Sequence, residues 1–138
     1  MEKNKLEQEV PVLALAFVGD AVYDTFIRSM LIKQGKVKPN LLHKRATLYN
    51  KAKAQSLAFL KILPFLNDKE KQIAMRGRNV KGNTIPKSAT VKEYKNATGL
   101  EALIGYLHLA RDINRLEEIM NTIVDIIEGE GVEMDYES

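Results

Sequence analysis

The chain contains no cysteine, so neither a disulfide framework nor a thiolate-bound metal is available to it, and a reducing, cytoplasmic setting fits that composition. It has only two histidines, His43 and His108, and neither has a second histidine at zinc-site spacing, which leaves surface or core packing as their reading. No apolar run approaches the roughly 18 residues of a membrane span. An export signal is excluded on charge. Although Val10 to Val18 is apolar and Ala14-Leu15-Ala16 imitates a small-x-small cleavage site, the residues before them carry Glu2, Glu7 and Glu9 against only Lys3 and Lys5. A Walker-type phosphate loop is also missing, since Arg76-Gly77-Arg78 lacks its spacing and its Lys-Ser/Thr ending. Nothing alternates strongly with period two and no internal repeat is visible, so the fold class is all-α, a helical bundle.

What is present is enough apolar material for one core and an uneven spread of charge. With 138 residues and 45% hydrophobic content, the chain has the size of a single domain. Residues 1–128 are read as that domain and 129–138 as an acidic tail expected to be disordered. The net charge of +3 conceals a segregation: from Lys33 to Lys95 there are sixteen Lys or Arg against three acids, whereas Glu128 to Ser138 holds five acids and no base. A basic middle of this strength suits a polyanionic partner, most simply a phosphate backbone. A solvated basic surface with an acidic tail is the alternative reading of charge alone.

Periodicity and caps divide the chain into helices. Pro11 fits the first turn of a helix running to about Lys33, with Leu13, Phe17, Ala21 and Asp24, or Val22, Phe26 and Met30, at helical spacing; Gly35 ends it. Pro39-Asn40 opens a second helical region, with Asn40 as N-cap, that runs to Pro64 and carries His43, Lys44, Arg45, Lys51 and Lys53 on its polar side. Asn67 or Asp68 caps a shorter helix through about Arg76. Gly77 to about Ala89 reads as a basic loop, long enough to suggest function or mobility. Thr90 with Glu93 forms a capping box for a helix to about Arg111, and a last helix spans about Asn114 to Ile127.

Two acids stand in unusual places. Asp20 interrupts the apolar run Leu15 to Asp24, and Glu101 interrupts the stripe Ala97, Leu100, Leu103, Ile104 and Leu107. Taking a carboxylate out of water costs several kcal/mol, roughly, unless a cation or strong donors receive it. If the two helices pack together, the carboxylates converge as oxygen ligands for Mg²⁺, or Mn²⁺ in its place, with Asp24 one turn after Asp20 as a further ligand directly or through water. Arg28, Arg111 or backbone donors would satisfy the same acids without a metal. Gly19, beside Asp20, is tolerated inside a helix where another backbone or a ligand must come close.

These residues carry a resemblance. Phe17-Val18-Gly19-Asp20-Ala21-Val22 resembles the signature helix of the ribonuclease III family, and Leu100-Glu101-Ala102-Leu103-Ile104-Gly105 resembles that family's second catalytic helix, in the same order and on helices of the expected kind. The short chain and its Arg76-Gly77-Arg78-Asn79 segment are similar to the Mini-ribonuclease III group of that family, whose members have no appended double-stranded-RNA-binding domain. The resemblance implies a ribonuclease III-like catalytic domain working as a homodimer. It further implies Mg²⁺-dependent cleavage of double-stranded RNA to 5′-phosphate and 3′-hydroxyl ends, in the maturation of precursor 23S ribosomal RNA, with room for an assisting ribosomal protein. Asp20 and Glu101 are the implied catalytic, metal-binding pair.

The pattern also departs from the family. Longer relatives carry glutamates where this chain has Leu13 and Ala16, and an aspartate where it has Thr98, so two of the usual four metal-site carboxylates fall on Ala16 and Thr98. The duplex clamp is assigned to Arg76, Arg78, Lys81 and Lys87, helped by Lys44 and Arg45, because an A-form duplex is read through shape and phosphates. Two rivals follow from the residues: a catalytically impaired RNA-binding or ribosome-assembly module, suggested by the missing acids, and an all-α phosphohydrolase of small nucleotides, which leaves the basic segment unused.

Overall fold

The structure is a computed structural model and describes residues 1–81, 84–87 and 89–129. Seven α-helices follow in order among them: α1 (Lys3–Gln8), α2 (Val12–Lys33), α3 (Pro39–Asn50), α4 (Ala52–Ile62), α5 (Asp68–Asn79), α6 (Val91–Leu109) and α7 (Ile113–Gly129), with a 3₁₀ turn at Leu63–Phe65 after α4. The described residues contain no strand, in agreement with the all-α reading. No helix among them is long and apolar enough to cross a membrane. The tail read as disordered lies, from residue 130 on, outside the described residues.

Helix α6 is the axis of the domain. Every residue from Asn96 to Leu107 is buried except Glu101, because α2, α4 and α5 pack around it and α7 closes the remaining side with α4. Leu100, Leu103, Ile104 and Leu107 of α6 meet Leu15, Ile27 and Leu31 of α2, Phe59 and Ile62 of α4, Ile73 of α5 and Ile119, Ile123 and Ile127 of α7 in one core. Each such side chain contributes about 1.5–3 kcal/mol by leaving water.

Local signals explain most of the boundaries. Capping boxes start α5 (Asn67 with Glu70) and α6 (Thr90 with Glu93), and Gly35, at φ +82°, follows the end of α2 in the left-handed region that glycine tolerates. Four boundaries differ from the expectation. Helix α1 has no counterpart in the periodicity reading. The second helical region breaks at Lys51, whose extended backbone (ψ 148°) turns α3 into α4. The N-cap of α3 is Lys38, with Pro39 in the first turn, so Asn40 is already helical. Helix α5 runs to Asn79, which places Gly77, Arg78 and Asn79 in a helix rather than a loop.

The buried stripe of α2 also differs. It consists of Val12, Leu15, Ala16, Gly19, Tyr23, Ile27 and Leu31, while Phe17 is 79% exposed and Asp20 and Ala21 are exposed too. Helix α2 is apolar on nearly every side, so periodicity alone does not orient it. The buried polar groups on it are satisfied: the Tyr23 hydroxyl donates to the Tyr49 carbonyl at 2.6 Å, and the Tyr49 hydroxyl donates to Glu128 Oε2 at 2.6 Å, linking α2, α3 and α7.

Candidate active site

The site begins with two glycines. A Cβ added to Gly19 would overlap the Glu101 carbonyl, and one added to Gly105 would overlap the Leu15 carbonyl, so α2 and α6 cross with their backbones in contact. The close approach foreseen for Gly19 is therefore to another backbone. It also sets register, since Asp20 directly follows the contact on α2 and Glu101 lies one turn before Gly105 on α6.

The two carboxyl groups consequently meet, within hydrogen-bonding reach of each other. They line an open cleft of about 360 Å³ whose other walls are Leu13, Ala16, Phe17, Tyr94 and Thr98. Asp20 stands exposed at the rim, which corrects the reading of it as a buried charge: the apolar residues around it in sequence belong to different sides of α2. Glu101 is the half-buried member of the pair. Burial, and then the Asp20 carboxyl held against it, push the Glu101 carboxyl up to about 9, while a hydrogen bond from Gln55 acts in the opposite sense. Burial, with the nearby Glu101 charge, also raises the Tyr23 hydroxyl far above the ordinary tyrosine range.

Two carboxyl groups brought together in an open cleft have the donor chemistry of a divalent-cation site. No group of three or more His, Cys, Asp or Glu able to hold a metal occurs among the described residues. Two carboxylates alone suit Mg²⁺, which keeps several waters and accepts substrate phosphate oxygens as further ligands. Asp20 and Glu101 thus fit such an ion.

Asp24 does not join them. Its Oδ1 and Oδ2 accept from Arg28 Nε at 3.0 and 2.9 Å, and Oδ1 also accepts from Asn50 Nδ2 at 2.8 Å, so it ties α2 to the end of α3 and is not among the cleft walls. The basic residues also separate. Lys44, Lys81 and Lys87 are exposed. Lys81 and Lys95 line a second recess, of about 340 Å³, that shares the walls Tyr94 and Thr98 with the carboxylate cleft. Arg76 is exposed and donates to the Glu7 carbonyl at 3.0 Å; half-buried Arg78 donates to Asn96 Oδ1 and Asn79 Oδ1, both at 2.9 Å. Arg45 is buried at 4% exposure, a correction to its place on the polar side of the second helical region.

Gln55 is the residue that sequence reasoning missed. It lies on α4, is 3% exposed, and acts against the rise of the Glu101 carboxyl. The only signal for it was a polar residue between Ala54 and Ala58, both of which are buried.

Residues 13–112 match the Ribonuclease III domain family, a span that begins on α2 and includes all of α6. A Mini-ribonuclease 3 of Thermoanaerobacter is 47% identical over 84% of this chain and 82% of its own length. The chain belongs to the ribonuclease III family, in its Mini-ribonuclease III group. The Mini-ribonuclease 3 of Enterococcus faecalis is 48% identical over 79% of this chain and 84% of its own, and that of Brevibacillus brevis 43% identical over 94% and 99%. Membership extends to shape: the crystal structure of protein FN1578 from Fusobacterium nucleatum superposes with a TM-score of 0.78 at 36% identity, covering 89% of this chain and 96% of that one. The ribonuclease III-like fold expected from the two motifs is the fold observed.

Proposed function

We propose that the chain is an endoribonuclease that cuts double-stranded RNA with a divalent cation, Mg²⁺ or Mn²⁺, held by Asp20 and Glu101. Membership in the ribonuclease III family and the Mini-ribonuclease 3 names of its relatives support the ribonuclease reading. The observation that carries the site is the convergence of the two carboxyl groups in an open cleft, enforced by the Gly19–Gly105 crossing.

When bound, the cation would neutralise the scissile phosphate and activate water for in-line attack, leaving 5′-phosphate and 3′-hydroxyl ends. The chain's own residues position and exclude. Asp20 presents its carboxylate from the exposed rim and Glu101 from the half-buried inner wall, so an incoming phosphate meets both from one side. Thr98 and Ala16 line the cleft at the two positions where longer relatives carry further acids, and Tyr94 completes that wall. Exposed Lys81, Lys87 and Lys44, with Arg76 and Arg78 on the outer part of α5, supply positive charge along the duplex backbone. Phe17, 79% exposed beside the cleft, is a large apolar side chain suited to cover by a second copy, in keeping with a homodimer. Precursor 23S ribosomal RNA in the cytoplasm is the substrate this family reading favours.

The test is a substrate panel: RNA duplex, single-stranded RNA, DNA duplex and free nucleotides, each with Mg²⁺ or with chelator. Cutting confined to the RNA duplex and abolished by chelator is expected. Turnover of nucleotides instead would contradict the proposal. One observation favours a second reading, because Ala16 and Thr98 line the cleft without acid groups. Tight duplex binding without cutting at any Mg²⁺ concentration would select the impaired module.

A further inference from the structure

The carboxylate cleft has a neighbour. The recess of about 340 Å³ meets it along one turn of α6, since Tyr94 and Thr98 are walls of both. That turn is tied to itself, the Thr98 hydroxyl donating to the Tyr94 carbonyl at 3.0 Å. The two hollows differ in charge. Asp20 and Glu101 line the cleft, whereas Lys81 and half-buried Lys95 line the recess, and no acid is among its described walls. Val80 and Ile85 add apolar surface beside Tyr94. The frame is helical: Tyr94, Lys95 and Thr98 belong to α6 and Gly77 to α5, and a Cβ added to Gly77 would lie 2.8 Å from Ala102 Cβ, so the two helices pack closely where they bound the recess.

Each part of this lining has a counterpart in one nucleotide. Two ammonium groups suit a phosphate, and an aromatic ring with two aliphatic side chains suits the face of a base. Size agrees, because the recess stands at the small end of the roughly 300–1,000 Å³ range of ligand pockets, the scale of one nucleotide rather than a run of them. A base that stays in an A-form duplex is covered by its stacked neighbours and offers only its edges. A phosphate alone would use the lysines and leave the apolar walls idle. We infer that the recess receives one nucleotide turned out of the duplex beside the scissile phosphate, its base against Tyr94, Val80 and Ile85 and its phosphate at Lys81 and Lys95. The inference rests on the proposed cutting of duplex RNA at Asp20 and Glu101. It makes the recess a specificity element: turning a base out is least costly where the base is already unpaired, so a mismatch next to the cut marks the preferred substrate.

The full chain is tested on a defined RNA duplex whose cut has been mapped, with the fluorescent base 2-aminopurine placed in turn at each position flanking the cut. At saturating protein in chelator, where nothing is cut, wild type is expected to raise the fluorescence several-fold at one flanking position and to leave the others unchanged. With Mg²⁺, a mismatch at that position should speed single-turnover cleavage about ten-fold over the paired duplex. Lys95→Met and Tyr94→Leu should lose both signals, the fluorescence staying at its duplex level and the two rates becoming equal. Ile85→Ser removes apolar wall alone, should lower both signals, and carries the test should Tyr94→Leu not fold. A ratio of rates within one variant does not move with a general loss of activity. Unchanged fluorescence at every flanking position, or equal cutting of mismatched and paired duplexes by wild type, overturns the inference and leaves the ribonuclease reading standing. Both signals surviving in all three variants overturns it too. If neither duplex is cut at any Mg²⁺ concentration, the ribonuclease reading fails instead, and the chelator arm still decides whether a nucleotide enters the recess.

Discussion

Glu101 concentrates the conflict between stability and function in one side chain. Its carboxyl is raised from an ordinary 4.5 to about 9 by burial and by Asp20. Between those two values the folded chain keeps a proton that the unfolded chain has released, so this group's contribution to stability declines as pH rises through that window. Glu101→Gln removes the penalty. In chelator the variant should therefore melt several degrees above wild type at pH 8, with the gap closing toward pH 4.5. Calorimetric scans at several pH values check this, and equal melting temperatures at pH 8 would contradict it. At this scale the sequence made both acids conspicuous, since each breaks an apolar pattern. It did not reveal which was buried. Asp20 lies off the buried stripe of a helix that is apolar all round, and Glu101 lies on a helix with almost no exposed face. Gln55 and the contact of Asp24 with Asn50 were illegible, because each depends on what another helix brings opposite, whereas the Asp24–Arg28 pair is a local contact one turn apart on α2.

Elements are held in place by a few polar ties as well as by the core. Glu70, 3% exposed near the start of α5, accepts from Arg115 Nε and Nη2, both at 2.8 Å, while Arg115 also donates to the Phe65 carbonyl at 2.9 Å. Burial alone would raise the Glu70 carboxyl; the Arg115 guanidinium and the Asn67 amide outweigh it and hold it below the usual range. One side chain thus closes the capping box of α5 and anchors α7. Arg115→Ala should cost about 3–5 kcal/mol, since it strands a buried carboxylate, and denaturant unfolding measures it. A loss within 1 kcal/mol, roughly the worth of a surface pair, would show the tie to be incidental. The Thr90/Glu93 capping box was legible because the signal is local, whereas Asn67 stood only as one of two candidate caps and its Glu70 partner went unread. The break at Lys51 was not legible, because neither glycine nor proline marks it and only the extended backbone of that one residue makes the turn. Pairing of Glu70 with Arg115, 45 positions away, is a tertiary fact.

The whole molecule joins a buried helical axis, one cleft at its side and a strongly basic middle segment. Under the proposed function binding and chemistry are separable, since duplex affinity would come from lysines and arginines spread over the surface and cutting from two carboxylates at one crossing. The most direct measurement is single-turnover cleavage of a defined RNA duplex by Asp20→Asn and Glu101→Gln, with duplex affinity measured in parallel. The account predicts that both variants bind the duplex within about two-fold of wild type, or slightly tighter as negative charge is removed, while cleavage falls by at least roughly 10³-fold. Cleavage within ten-fold of wild type in either variant would contradict it.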